Sequence, residues 1–213
     1  MTPHDDYCRL PHVTSGERTQ LNDGLLQIEN EFYSAIRPKR VTRSGEAPVR
    51  ALEERGIEYV EVRCLDINPF TPLGINEEII ALVDTFLLSC VLSDSPLCNA
   101  ATRNIDNTNT QRILNFGRDP SLQLLTKDGR AISRNEHAKP ILDAMQEAAG
   151  WLDSATSTTR HSDAMIRARG MLMDDVETPS SRVLREIFEQ NISYSGLMGR
   201  YACLLYTSPS PRD

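Results

Sequence analysis

Two stretches of this chain alternate apolar and charged residues, and a basic run separates them. The first reads Leu26-Gln27-Ile28-Glu29-Asn30-Glu31-Phe32-Tyr33. The second reads Gly56-Ile57-Glu58-Tyr59-Val60-Glu61-Val62-Arg63-Cys64-Leu65-Asp66-Ile67-Asn68-Pro69-Phe70. Between them lies Ile36-Arg37-Pro38-Lys39-Arg40-Val41-Thr42-Arg43-Ser44-Gly45-Glu46. In a strand, successive side chains point to opposite faces. Residues 25–33 and 57–66 therefore read as strands of one mainly antiparallel sheet. Glu29, Glu31 and Tyr33 share a face of the first strand. Tyr59, Glu61 and Arg63 share a face of the second. Ile28 and Phe32, and Val60, Val62 and Cys64, make the opposite, apolar faces. A sheet lined on one side by carboxylates, arginine and tyrosine is suited to handling metal ions and phosphate.

The rest of the chain places this sheet in an α+β architecture. Pro48 to Arg55 reads as a short helix closed by Gly56. Asn76 caps a long helix with Glu77 and Glu78 in its first turn. Ile79, Ile80, Val83, Phe86, Leu87, Cys90 and Val91 give that helix a broad apolar face, which is expected to pack on the apolar side of the sheet. Residues 99–110 are polar and read as a loop, leading to a short helix that ends at Gly117. Residues 122–133 read as an extended stretch bent at Asp128-Gly129. Helices are expected over 136–153 and 163–174, separated by a polar spacer at 154–159. Another begins at Thr178, with Pro179 at its first position.

Composition bounds the function classes. A net charge of −7 argues against general nucleic-acid binding, which needs a basic footprint. No apolar run reaches the roughly 18 residues of a membrane span, and no basic-then-apolar leader follows Met1. Cys8, Cys64, Cys90, Cys98 and Cys203 form no CxxC pair. Cys64 and Cys90 read as buried free thiols of a reducing compartment. His4, His12, His137 and His161 read as surface or loop residues. There is no Walker loop and no GxGxxG motif, so a glycine-rich cradle does not hold a nucleotide here.

The segments Gln27 to Glu31, Ile36 to Glu46 and Glu61 to Phe70, in that order and spacing, closely resemble the bacterial glutamate–cysteine ligase family. The resemblance runs from about Thr19 to Arg118 and continues more weakly to Ala202. It implies a glutamine-synthetase-like, mainly antiparallel sheet packed against helices, followed by a helical C-terminal region. It also implies ATP-dependent joining of the glutamate γ-carboxylate to cysteine through γ-glutamyl phosphate, the first step of glutathione biosynthesis. Magnesium is the implied cofactor and ATP the co-substrate. Glutamate, cysteine and ATP are the partners, in the cytoplasm, with no nucleic acid or membrane. The oligomeric state stays open, a monomeric parent included.

By the same resemblance, Glu61 occupies a magnesium-binding position and Arg63 contacts the transferred phosphoryl group or the glutamate. Tyr33 lines the cysteine pocket. Glu29 and Glu31 are metal candidates, or carboxylates that orient Arg37 or Arg40. Arg37, Arg40 and Arg43, with Lys39, are candidates for the ATP phosphates, or else a solvated anion patch. Glu61 and Arg63 also fit a solvated charge pair on an exposed sheet face. Two other functions stay open: a non-enzymatic binding or structural module, and a related carboxylate–amine ligase using another amine.

Family members are more than twice as long, so the chain reads as part of a ligase catalytic domain over 1–202, strand-rich over 19–75 and helix-rich over 76–202. Residues 203–213 do not resemble the family. They read as a translated sequencing adapter that should add no helix or strand to the core.

Overall fold

The computed structural model describes residues 3–24, 34–174 and 176–207. The chain divides into two compact units, Met1–Asp66 and Ile67–Asp213. The strand expected over 25–33 lies outside the described residues, as do Glu29, Glu31 and Tyr33.

The first unit opens with a one-turn helix α1 (Asp5–Cys8) and a small hairpin, β1 (Val13–Thr14) and β2 (Glu17–Arg18). Its main feature is an antiparallel ribbon of β3 (Ile36–Lys39) and β4 (Tyr59–Val62). Ile36 pairs with Val62, Arg37 with Glu61, Pro38 with Val60 and Lys39 with Tyr59. The ladder continues past β4, because the Arg63 N–H donates to the Ala35 carbonyl at 2.7 Å. The run from Ile36, read above as the start of a loop, therefore supplies a strand. Its charged residues recur at every second position, as alternation in a strand requires, and the signal is masked by Pro38. Proline is tolerated because β3 has a single neighbour among the described residues, and strand prolines are confined to edges.

Loop 40–47 and helix α2 (Pro48–Arg55) connect the two strands. Pro48 sits in the first turn of α2, and Gly56 ends it with φ +73°, a conformation that side chains rarely adopt. The helix is the one expected from the sequence.

In the second unit, α3 (Glu77–Leu92) begins where Asn76 accepts the Ile79 N–H at 3.0 Å. The sequence reading gave the apolar face of α3 to the sheet. Within its own unit, α3 packs with α5 (Arg134–Thr156) and α6 (Arg160–Leu172). Leu82 and Phe86 of α3 pack with Leu142 around Met145, Ala149 and Met165.

The polar stretch after Asn99 is not a loop but helix α4 (Ala100–Phe116). Asn99 and Thr102 form a reciprocal capping box that starts it. Threonine hydroxyls at 108 and 110 bond back to carbonyls one turn earlier, at 2.8 Å each. The Asn109 side chain exchanges two 2.8 Å bonds with the Leu125 backbone. The helix is thus tied to its neighbour by an amide, and an apolar stripe is not the signal to look for. That neighbour is β5 (Gln123–Leu125), which pairs with β6 (Ala131–Ser133) around the expected bend, where Gly129 takes φ +84°.

Ser133 and Glu136 make a second capping box, so α5 starts earlier than expected and runs through Thr156, into the region read as a spacer. Helix α7 (Pro179–Gln190) starts at Thr178 as expected. Helix α8 (Tyr194–Thr207) corrects one part of the reading of the tail, the expectation that it adds no helix, since Cys203 and Leu204 continue it. Extending an existing helix adds a hydrogen bond for each residue ordered. Leu204 is nonetheless 62% exposed. Two further corrections concern side chains. Cys64 and Cys90 are exposed, and His161 is buried in α6 with its ring on Asp153.

Candidate functional site

The polar face of the β3–β4 ribbon follows from its register. Residues directly opposite one another share a face, so Arg37, Lys39, Tyr59 and Glu61 lie together, while Ile36, Pro38, Val60 and Val62 lie on the other face. Glu61 is the hub. Its Oε2 is 2.9 Å from Lys39 Nζ, and its Oε1 is 2.9 Å from Arg63 Nε. Arg37 stands opposite it in the register. The Lys39 ammonium, and then the fields of Arg63, Lys39 and Arg37, outweigh desolvation and hold the Glu61 carboxyl below the usual carboxylate range. Among the described residues this face thus gathers one carboxylate with Arg37, Lys39 and Arg63, groups of the kind that bind phosphate.

The connecting loop adds more cations. Arg40 Nε lies 3.7 Å from Glu58 Oε2, and the same Glu58 oxygen accepts the Val41 N–H at 3.0 Å. Arg43 is exposed, with its backbone N–H bound to Glu46 Oε2 at 2.8 Å. Glu46 in turn takes both arms of the Arg55 guanidinium, at 2.6 and 2.7 Å. That side-chain pairing, helped by the Arg43 N–H, lowers the Glu46 carboxyl to about 2.

Five sequence-derived candidates, Arg37, Arg40, Arg43, Glu61 and Arg63, therefore fall on this ribbon and its loop. Sequence reasoning missed the contact of Lys39 with Glu61, which becomes legible only once Ile36–Lys39 is taken as a strand. It also missed the Glu46–Arg55 pair. The available signal was a basic last-turn residue directly before the helix-ending Gly56.

Among the described residues, no group of three or more His, Cys, Asp or Glu side chains is gathered to hold a metal ion. Glu61 offers hard oxygens that fit one ligand position for magnesium, which commonly takes one or two carboxylates with substrate phosphates. Both oxygens are now paired with cations, so a metal would exchange with Lys39 or Arg63. No helix among the described residues is long and apolar enough to cross a membrane.

The family profile of glutamate–cysteine ligase matches residues 1–113. The glutamate–cysteine ligase of Pseudomonas paraeruginosa is 43% identical over 193 residues, covering 91% of this chain and 36% of that protein. The one from Janthinobacterium sp. is 46% identical over 173 residues, covering 81% of this chain and 33% of that protein. In three dimensions, the crystal structure of glutamate–cysteine ligase from Francisella tularensis in complex with AMP superposes with a TM-score of 0.80 at 32% identity, covering 97% of this chain and 41% of that one. The chain thus spans about a third of the length of these curated relatives.

Proposed function

This chain belongs to the glutamate–cysteine ligase family, and from that premise we propose that it forms part of an ATP-dependent ligase joining the γ-carboxylate of glutamate to the amine of cysteine. The observation that carries the reading is the ribbon face, where Lys39, Arg37 and Arg63 surround Glu61.

A carboxylate does not react directly with an amine. In the proposed reaction a glutamate γ-carboxylate oxygen attacks the γ-phosphorus of ATP, and the bond to the bridging oxygen breaks to release ADP. The cysteine nitrogen then attacks the acyl carbon, phosphate leaves, and the nitrogen gives up a proton. Both steps depend on positioning and on neutralising phosphate charge. Arg63 takes the phosphoryl oxygens or the glutamate, because a planar guanidinium matches either in two-point geometry. Arg37, Arg40 and Arg43 face the ATP phosphates. Tyr33 walls the cysteine pocket with an apolar ring and one polar tip. Glu61, with Glu29 and Glu31, would hold magnesium, which supplies further charge neutralisation when bound.

In this reading residues 1–202 belong to the catalytic domain, residues 203–213 are non-native, and the setting is the cytoplasm. The test is a chimera in which this segment replaces its counterpart in the Pseudomonas paraeruginosa ligase. Phosphate release requiring both glutamate and cysteine supports the assignment. Turnover with another amine but not with cysteine would redirect it to a different carboxylate–amine ligase.

A further inference from the structure

We propose that Glu46 and Arg55 form a positioning pair that holds loop 41–45 in the shape that binds the phosphate chain of a nucleotide, with Thr42, Arg43 and Ser44 as the contacting residues. This rests on the nucleotide-using reading above and adds to it a device outside the ribbon face.

The backbone of the loop is caught at alternate residues. Arg55 Nη2 donates to the Val41 carbonyl at 3.1 Å, and the Val41 N–H donates to Glu58 Oε2 at 3.0 Å. The Arg43 N–H donates to Glu46 Oε2 at 2.8 Å, and the Glu46 N–H donates back to the Arg43 carbonyl at 3.0 Å. The residues between are left out of these bonds. The N–H groups of Thr42, Ser44 and Gly45 have no partner among the described residues. Nor does the Arg43 guanidinium form an ion pair there. Gly45 turns the chain at φ +77°, in open space.

The loop therefore presents backbone N–H groups, two hydroxyls and a guanidinium, while its nearby carboxylate is already neutralised. Successive N–H groups in a turn make an anion-binding concavity. Each is a donor type that phosphate oxygens accept from.

An ordinary surface ion pair does little to order a loop. This one differs in geometry. It is a two-armed pair, its side chains are only 21% and 11% exposed, and each partner also bonds to loop backbone. It joins the end of α2 to both halves of the loop before any ligand arrives. Pre-ordering of this kind removes part of the entropy cost of binding.

The test uses the 213-residue chain, ¹⁵N-labelled, held at a concentration below the onset of light scattering, and titrated with inorganic tripolyphosphate, ATP and adenosine. Tripolyphosphate and ATP should both move the amide signals of Thr42, Ser44 and Gly45, and adenosine should not. R43A should weaken tripolyphosphate. R55A should weaken it about tenfold through lost pre-organisation. R55K keeps the charge without the fork and should fall between wild type and R55A. The double variant E46A/R55A should be no weaker than R55A alone. Wild-type affinity in R55A, shifts confined to other residues, or no shifts at all would overturn the positioning pair. The chimera separates this from the wider reading. Turnover with an unchanged KM for ATP in R55A removes the pair and leaves the ligase assignment standing. A wild-type chimera without turnover, with the loop shifts intact, removes the assignment and leaves the phosphate site.

Discussion

Asp153 reaches from α5 to the start of α6 and binds His161 twice. Its Oδ1 takes the His161 backbone N–H at 3.0 Å and lies 2.8 Å from the imidazole Nδ1. Its other oxygen takes the Ser162 N–H at 2.9 Å. Thr159, the residue at the N-cap position of α6, makes no side-chain capping bond, so a carboxylate from the preceding helix does that work. His161 is 1% exposed, which makes an unpaired ring nitrogen there costly. D153A should therefore destabilise the second unit by about 3 kcal/mol, with D153N losing less. Thermal unfolding followed by circular dichroism measures the difference.

The pH dependence of that clamp has a definite sign. Burial pushes the Asp153 carboxyl up, but the Ser162 and His161 donors outweigh it and hold it well below the usual carboxylate range. A lowered carboxyl contributes stability that is complete above its unfolded value and lost as the pH falls through the folded value. The gap in Tm between wild type and D153A should thus persist from neutral pH to about pH 4, near the unfolded Asp value. It should narrow only in stronger acid.

Glu46 offers a second titration, with a readable midpoint. Its carboxyl is lowered to about 2, chiefly by the Arg55 side chain. The loop lock is then complete above the ordinary Glu value and weakens as the pH falls toward the lowered one. In R55A the Glu46 side-chain ¹³C titration should move up toward its ordinary range. A midpoint that stays near 2 would assign the shift to the Arg43 backbone instead.

How far the sequence could be read depended on which interactions carry each element. Helices with side-chain caps and an apolar stripe were legible, as with Asn76 and Glu77–Leu92. Helix α4 was not, because Asn109 joins it to β5 through an amide and its threonines satisfy their hydroxyls within the helix. Those residue types read as loop when their bonds are unseen. At the site, the alternation from Tyr59 to Arg63 placed Glu61 and Arg63 correctly in relation to each other. The register with Ile36–Lys39 escaped notice, because Pro38 interrupts the usual strand signal and pairing is a long-range property. Lys39 was thus grouped with a loop although it binds Glu61.

The core of the second unit depends on Met165, which is fully buried against Met145 and Ala149. M165A should cost roughly 2–5 kcal/mol through lost transfer energy and the cavity left behind. M165L, close in volume, should cost less than about 1.5 kcal/mol. Denaturant unfolding that separates the two variants checks this. Equal losses would show that Met165 contributes through something other than filled volume.

The last prediction is that the 213-residue chain alone does not make γ-glutamylcysteine. The chain spans 36% of the Pseudomonas paraeruginosa ligase, and its described residues bring a single metal-candidate carboxylate, Glu61, to the ribbon face. A site that handles magnesium and phosphate needs several ligands converging from different segments. The other side of the ribbon is also incompletely covered, with Ile36 41% and Val60 43% exposed. Exposed apolar surface of this kind favours association, so the isolated chain should show concentration-dependent light scattering. In the chimera the same face should become productive. There, R63A should remove charge stabilisation worth about 3 kcal/mol, a loss of roughly 100-fold in kcat. The assay is phosphate release requiring both glutamate and cysteine, run on the isolated chain, on the chimera and on an E61A control of each. Turnover by the isolated chain well above its E61A control would show that the site is already complete within these residues.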